Sequence, residues 1–180
     1  LTGRMHLNMT FDVRRASPAD AVALPAIERS AAQLFRLEPP LAWLANAEVP
    51  DAGQHLLAIE QAYVWVAENS DGQLTGFVRA VDIDQHMHIE ELSVSQAFQG
   101  QGRGRALVAA VIEQARVMQL NSVTLTTFRD LPWNAPFYQR MGFVELTPAH
   151  TDRHLRDALQ AEVLFGFPAE RRCAMRLPLI

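Results

Sequence analysis

The sequence predicts an α/β (α+β) fold, a single domain with a mixed, mostly antiparallel central sheet and helices on both faces. Three observations lead there. Helical periodicity dominates residues 17–62, and the apolar pattern changes to strict alternation at Tyr63. The alternating segments are first joined by a tight turn at Asn69-Ser-Asp-Gly72, the mark of an antiparallel hairpin. A later strand, glycine-rich turn, helix and strand in succession imply a parallel crossover, and hence a mixed sheet.

Taken in order, residues 10–15 (Thr-Phe-Asp-Val-Arg-Arg) alternate and read as a short first strand. Ser17-Pro18 is a helix start, with serine as N-cap and proline in the first turn. That helix is expected to reach about Leu37 with Val22, Leu24, Ile27, Ala31 and Leu34 as its apolar face. Pro25 predicts a kink or a later start, and Pro39-Pro40 the stop. A second helical stretch covers about 51–62 with Leu56, Leu57 and Ile59 apolar. Strands follow at 63–67, 75–83 and 86–94. After the glycine-rich turn at 99–104, a helix runs to about Gln119 with Val108, Val111, Ile112, Ala115 and Met118 on one side. Ser122–Phe128 is a strand, 135–141 a short helix ended by Gly142, and 143–146 a strand. Residues 152–165 read as a helix and 172–177 as the closing strand.

Composition narrows the function classes. With 180 residues, 49% apolar and 20% charged, the chain is long enough to bury a substantial core. Residues 1–9 are expected to form a poorly ordered extension and 10–180 one domain. The single cysteine, Cys173, excludes an intramolecular disulfide framework and a cysteine-based zinc cluster. All sixteen cationic residues are arginine, which rules out a Walker lysine, a Schiff-base lysine and a lysine base. A net charge of −4 argues against broad nucleic-acid binding. No secretory leader is read in residues 1–15 and no apolar run nears the roughly 20 residues of a membrane span. A soluble cytoplasmic protein with no membrane and no nucleic-acid partner is the expectation.

The segment Leu92-Ser-Val-Ser-Gln-Ala-Phe-Gln-Gly-Gln-Gly-Arg-Gly-Arg105 carries the most chemical information. A strand ends, glycines stand at 100, 102 and 104, and an apolar-faced helix begins. Glycine lets backbone N–H groups approach a ligand. The helix start adds unpaired donors and the positive end of the macrodipole, an arrangement suited to a pyrophosphate. Arg103 and Arg105 are expected to add positive charge. The dinucleotide fingerprint G-x-G-x-x-G fails from Gly100, where Arg105 takes the third glycine position, and from Gly102, where Leu107 does.

Gln99-Gly-Gln-Gly102-Arg-Gly104, preceded by Leu92-Ser-Val94, resembles the pyrophosphate loop Gln/Arg-x-x-Gly-x-Gly/Ala of the GNAT superfamily of N-acetyltransferases. Asn134-Ala-Pro-Phe-Tyr-Gln-Arg-Met-Gly-Phe143 resembles the family's second motif. The resemblance covers residues 63–146 well, and 10–60 through element order only. It implies a GNAT-like fold and acetyl-CoA as co-substrate, with an amine-bearing acceptor as the other partner. It implies further that Gln99, Gly100, Gln101, Gly102, Arg103, Gly104 and Arg105 hold the diphosphate. Leu92, Ser93 and Val94 would lie along the pantetheine arm, with the Val94 amide polarising the thioester carbonyl. Asn134 would contact the pantetheine, cap its short helix, or both. Tyr138 would protonate the departing thiolate. Homodimers are frequent in the family, so a homodimer is a further expectation.

A base must take a proton from the attacking amine, and His88, Glu90 and Glu91 stand on the strand leading to this site. Strand alternation puts His88, Glu90 and Leu92 on one face and Glu91 and Ser93 on the other, and leaves the productive face open. His86 and His88 lack a third ligand at suitable spacing, so no metal is expected. Phe128, Arg129 and Trp133 are read either as a wall of the acceptor pocket or as loop residues packed on the core. Glu38, Glu48 and Asp51 hint at a cationic acceptor. The competing reading is a non-catalytic acyl-CoA binding or sensing module, which would keep the glycine turn and need no Tyr138.

Overall fold

A computed structural model describes residues 10–179; the expectation about residues 1–9 lies outside them. The strands are β1 (Phe11–Arg15), β2 (Tyr63–Asn69), β3 (Leu74–Ile83), β4 (His86–Val94), β5 (Ser122–Phe128), β6 (Val144–Glu145) and β7 (Arg172–Pro178). The α-helices are α1 (Leu24–Ala31), α2 (Ala52–Gln61), α3 (Arg103–Val117), α4 (Ala135–Arg140) and α5 (Arg153–Phe165). Among the described residues these strands form one sheet in the order β1-β2-β3-β4-β5-β7-β6. β1 runs antiparallel to β2, β4 parallel to β5, and β7 antiparallel to both β5 and β6. The sheet is mixed, as the alternation of hairpin and crossover predicts.

The chain divides into two compact units. The first comprises residues 10–77 and Leu92–Leu107. Leu24, Ile27, Val64, Val66 and Phe77 form its core. The expected long helix here is broken into a 3-10 stretch (Pro18–Ala23), α1, and a second 3-10 stretch (Ala32–Leu37). Pro25 lies in the first turn of α1, where its missing N–H and fixed φ are tolerated, so the α-helix starts there. Val22, expected on the apolar face, is exposed because the 3-10 turn changes the period. Pro39-Pro40 end one segment and open another, a 3-10 stretch over Pro39–Asn46. In α2 the buried residue is His55, packed edge-on against Phe77 at 5.2 Å, while Leu57 faces out.

The second unit comprises residues 78–91 and 108–179. Val108, Val111, Ile112 and Ala115 of α3 are buried as the helical period requires, with Met87, Ile89, Val123, Leu125 and Met175 from its strands. β6 is only two residues long, shorter than the alternation suggests, and pairs Val144 with Arg176 and Glu145 with Met175. No helix among the described residues is long and apolar enough to cross a membrane.

Candidate functional site

In the first unit, β4 ends at Val94, and Ser95 is held by its N–H on the Thr75 carbonyl at 2.8 Å. A single 3-10 turn, Gln96–Phe98, leads to the glycines. Gly100 and Gly102 have φ of 73° and 89°, the left-handed region that a side chain disfavours. A Cβ at either position would meet nothing within 4 Å, so backbone conformation and not crowding demands glycine, and the corner is open. The first α-helical bond of α3 is Ala106 N–H to the Gly102 carbonyl at 3.0 Å. Among the described residues the six preceding amides, Gly100 to Arg105, donate to no backbone or side-chain acceptor. No acidic residue stands in the first turn of α3 to offset its dipole.

The side chains of this turn divide. Arg105 is exposed. Arg103 is not: its residue is only 2% exposed, and its guanidinium points inward. It donates to Thr75 Oγ1 (2.9 Å), Asn69 Oδ1 (2.7 Å) and Gln101 Oε1 (3.0 Å). Of the two arginines expected to add positive charge here, Arg105 carries it on the exposed side of the turn and Arg103 carries it within the fold. The Gln99 side chain likewise turns back, donating to the Val94 carbonyl at 2.9 Å, and its amide bonds the Gln96 carbonyl.

Sequence reading passes over Gly76, on β3. A Cβ there would lie 3.0 Å from the Ser93 carbonyl oxygen, 3.2 Å from Leu107 and 3.3 Å from Val94. Glycine at 76 lets the end of β4 and the start of α3 approach the strand; an isolated glycine in a strand pattern is the signal that finds it.

In the second unit, α4 ends in a Schellman arrangement: Phe143 N–H bonds the Tyr138 carbonyl (3.1 Å) and Gly142 N–H the Gln139 carbonyl (3.0 Å). Gly142 has φ 99°, and the rings of Tyr138 and Phe143 meet at 5.6 Å. That is the physical content of the Tyr-x-x-x-Gly-Phe spacing: the helix end fixes the tyrosine. Tyr138 is buried, with Phe137 at 5.0 Å on another side. Burial first, and then the Glu91 charge, raise its pKa above the usual phenol value, while Arg172 pulls it down. Asn134 makes no side-chain cap bond, so the capping reading is corrected. Its Nδ2 donates to the Trp133 carbonyl at 3.2 Å, and its buried Oδ1 has no donor among the described residues.

The two carboxylates of β4 also part. Glu90 is exposed and accepts from Arg79 Nε at 3.3 Å. Glu91 is half-buried and lies close enough to Tyr138 and Arg172 to act on both. The second unit thus groups Glu91 with Tyr138 and leaves Glu90 on a surface ion pair.

His88 Nδ1 shares a hydrogen bond with Thr124 Oγ1 (3.0 Å), which also meets His154 Nε2 (3.0 Å). Burial, then the neighbouring His154, push the His88 pKa down to about 4. His86 stacks on His154 at 5.4 Å and meets Ser122 Oγ at 2.7 Å. No group of three His, Cys, Asp or Glu among the described residues is arranged to hold a metal. Burial raises the Cys173 thiol to about 11. Phe128 is buried against Phe167, so it is packed into the fold, whereas Arg129 is exposed and bonds Glu145 on the surface. Asp51 caps α2, accepting from Gln54 N–H at 2.8 Å, which accounts for its charge.

Residues 29–143 match the profile of the acetyltransferase (GNAT) family. The chain is 34% identical over 93 residues to an uncharacterized N-acetyltransferase, ycf52, of Gracilaria tenuistipitata var. liui, covering 49% of this chain and 50% of that protein. The matches span between 37% and 50% of the curated relatives' own length. The fold is similar to the PaiA N-acetyltransferase of Thermoplasma acidophilum solved with coenzyme A (TM-score 0.68, 16% identity, 94% of this chain and 99% of that one). It is also similar to Rv2747 of Mycobacterium tuberculosis solved with CoA and NLQ (TM-score 0.65, 23% identity, 94% and 99%). The profile covers more than half of the sequence and includes the glycine turn, Glu91 and Tyr138, and the chain belongs to the GNAT acetyltransferase family.

Proposed function

We propose that this chain is an acetyl-CoA-dependent N-acetyltransferase that moves the acetyl group directly onto a primary amine. The observation that carries the reading is the row of six amides from Gly100 to Arg105 that find no acceptor among the described residues, opened by two left-handed glycines at the start of α3. Such a row fits the coenzyme's diphosphate, since each N–H supplies a donor and the helix end a positive potential. Gly100, Gln101, Gly102, Arg103 and Gly104 would hold it through their amides, with Arg105 adding charge from outside and Gln99 securing the turn to Val94.

Leu92, Ser93 and Val94 would align the pantetheine arm along the strand end. The Val94 amide would meet the thioester oxygen as negative charge develops there. Asn134, whose buried Oδ1 has no donor among the described residues, suits an amide N–H of the same arm. Tyr138, whose pKa burial and then the Glu91 charge raise, keeps its proton at neutral pH and would give it to the departing sulfur, with Arg172 offsetting a small part of that rise. Glu91 is the better candidate to accept the amine proton, directly or through water. Glu90 is engaged with Arg79, and His88, with a pKa of about 4, is a weak base near neutrality. The buried, protonated Cys173 supports transfer without a covalent enzyme intermediate. The reading places the reaction in the cytoplasm.

Titration calorimetry with acetyl-CoA, followed by coenzyme A release over a panel of amines, tests this reading. Binding with release from at least one amine supports it. No binding at hundreds of micromolar overturns it, and tight binding without release from any acceptor replaces it with the sensing module.

A further inference from the structure

The side chain of Arg103 is a buried cation whose charge no carboxylate balances among the described residues. Its three hydrogen bonds go to the neutral oxygens of Thr75, Asn69 and Gln101. Phe11 and Phe98 cover it at 4.6 and 4.7 Å from their ring centroids. No carboxylate pairs with it among the described residues, and burial alone moves its pKa, downward from the ordinary arginine value. Hydrogen bonds and aromatic faces offset part of the desolvation of a guanidinium, but they do not remove its charge. A buried ion is normally retained with a counter-ion. Among the described residues the counter-ion is missing at a turn whose six amides also lack acceptors.

Arg103 is the first residue of α3, so its charge adds to the partial charge of roughly +0.5 that a helix start carries. Its bond to Gln101 ties the outer part of the turn to the hairpin residues Asn69 and Thr75. We propose that Arg103 is a positioning residue for the coenzyme's diphosphate, holding the glycine turn from within and supplying an internal positive charge that the bound phosphates complete. The proposal rests on the reading that the turn binds a diphosphate.

Three probes separate charge from shape: coenzyme A, inorganic pyrophosphate, and acetylpantetheine, which has no phosphate. Arg103→Met is expected to weaken coenzyme A and pyrophosphate by about tenfold or more, and acetylpantetheine by less than about twofold, the size of one partly screened charge interaction. Asn69→Asp keeps Arg103 and its bonds but sets a carboxylate where the neutral amide oxygen accepts at 2.7 Å. It is expected to leave the urea midpoint unchanged or raised, and to weaken the two phosphate ligands by about tenfold, because the cation is then paired inside. A folded variant of either kind that binds coenzyme A like the wild type overturns the proposal. So does a parallel loss for all three probes, which marks a purely structural role. Should Arg103→Met not fold, Asn69→Asp decides, and an unfolded Asn69→Asp contradicts the charge argument directly. A wild type that binds neither coenzyme A nor pyrophosphate removes the diphosphate reading itself. Wild-type binding left intact by Asn69→Asp removes only the role of Arg103.

Discussion

Arg103 and Arg172 are built alike and balanced differently. Each is the first residue of its element, α3 or β7, and each is clamped by two phenylalanines. The clamp distances are 4.6 and 4.7 Å for Phe11 and Phe98 on Arg103, and 4.5 and 4.8 Å for Phe128 and Phe167 on Arg172. Arg172 then meets Glu162 Oε2 through Nε (3.0 Å) and Nη2 (2.8 Å), and Glu162 also accepts from Thr126. Arg103 meets only neutral oxygens. The aromatic clamp by itself therefore says nothing about role. Charge balance does: a guanidinium closed by a carboxylate is a finished bridge, and one left open is available to an anion. The rest of the second unit follows the same rule, since burial favours the neutral forms of His88, Tyr138 and Cys173.

The largest effect comes from breaking the balanced member. Glu162→Leu leaves Arg172 buried without its counter-ion, and should lower the unfolding free energy by about 3–5 kcal/mol, measured by urea denaturation. Adding Arg172→Met should recover most of that loss, because no lone charge then remains. A loss below about 1 kcal/mol would place the pair among weak surface bridges and dissolve the contrast with Arg103.

Acid should break the neutrality of the second unit by another route. The His88 pKa is held near 4 by burial and by His154, against about 6.5 in an unfolded chain. The unfolded chain binds the extra proton first, so stability is complete above about pH 6.5 and declines as pH falls towards about 4. His86 and His154 are lowered in the same direction, by burial first, with Asp152 raising and Arg176 lowering both to a smaller extent. Across that window the wild type should lose about 2–3 kcal/mol more than His88→Gln, a difference that cancels the ordinary titration of carboxylates. Equal losses would mean that His88 can be charged without cost in the fold.

A smaller effect, in rate and not in stability, falls on the residue that Arg172 and Glu91 influence from opposite directions. Tyr138→Phe should lower kcat by about 30- to 100-fold with coenzyme A affinity nearly unchanged, the range of a lost general acid. A rise in Kd with kcat preserved would make Tyr138 a binding residue only.

Local demands of the backbone were readable, and distant partners were not. Gly100 and Gly102 stand out because a positive φ at two nearby positions can be met cheaply only by glycine. The bounds of β5 match the alternating run Ser122–Phe128, since period two is a property of the strand itself. Tyr138 is singled out by the resemblance of residues 134–143 to a family motif, and the Gly142-Phe143 helix end is the local reason that motif holds its shape. The inward turn of Arg103 could not be found, for Thr75 and Asn69 lie 28 and 34 positions away. Nor could the insertion of β7 between β5 and β6, since strand periodicity does not say which strands become neighbours. The choice between Glu90 and Glu91 failed for the same reason: alternation separates their faces but cannot say that Arg79 waits on one and Tyr138 on the other.

The smallest effect sharpens the contrast from the open side. Thr75 is fully buried, and its Oγ1 accepts from Arg103 Nε while donating to the Ala67 carbonyl at 3.3 Å. Thr75→Val keeps the shape and removes one neutral acceptor, so the unfolding free energy should fall by about 1–2 kcal/mol in the same urea experiment, the range for one orphaned buried donor. The charge of Arg103 is not paired by Thr75, so none of the larger penalty seen for Glu162→Leu should appear. If Thr75→Val cost as much as Glu162→Leu, neutral oxygens would be holding Arg103 as firmly as a carboxylate holds Arg172. The two arginines would then be equivalent bridges, and the open charge beneath the glycine turn would have no claim on a ligand.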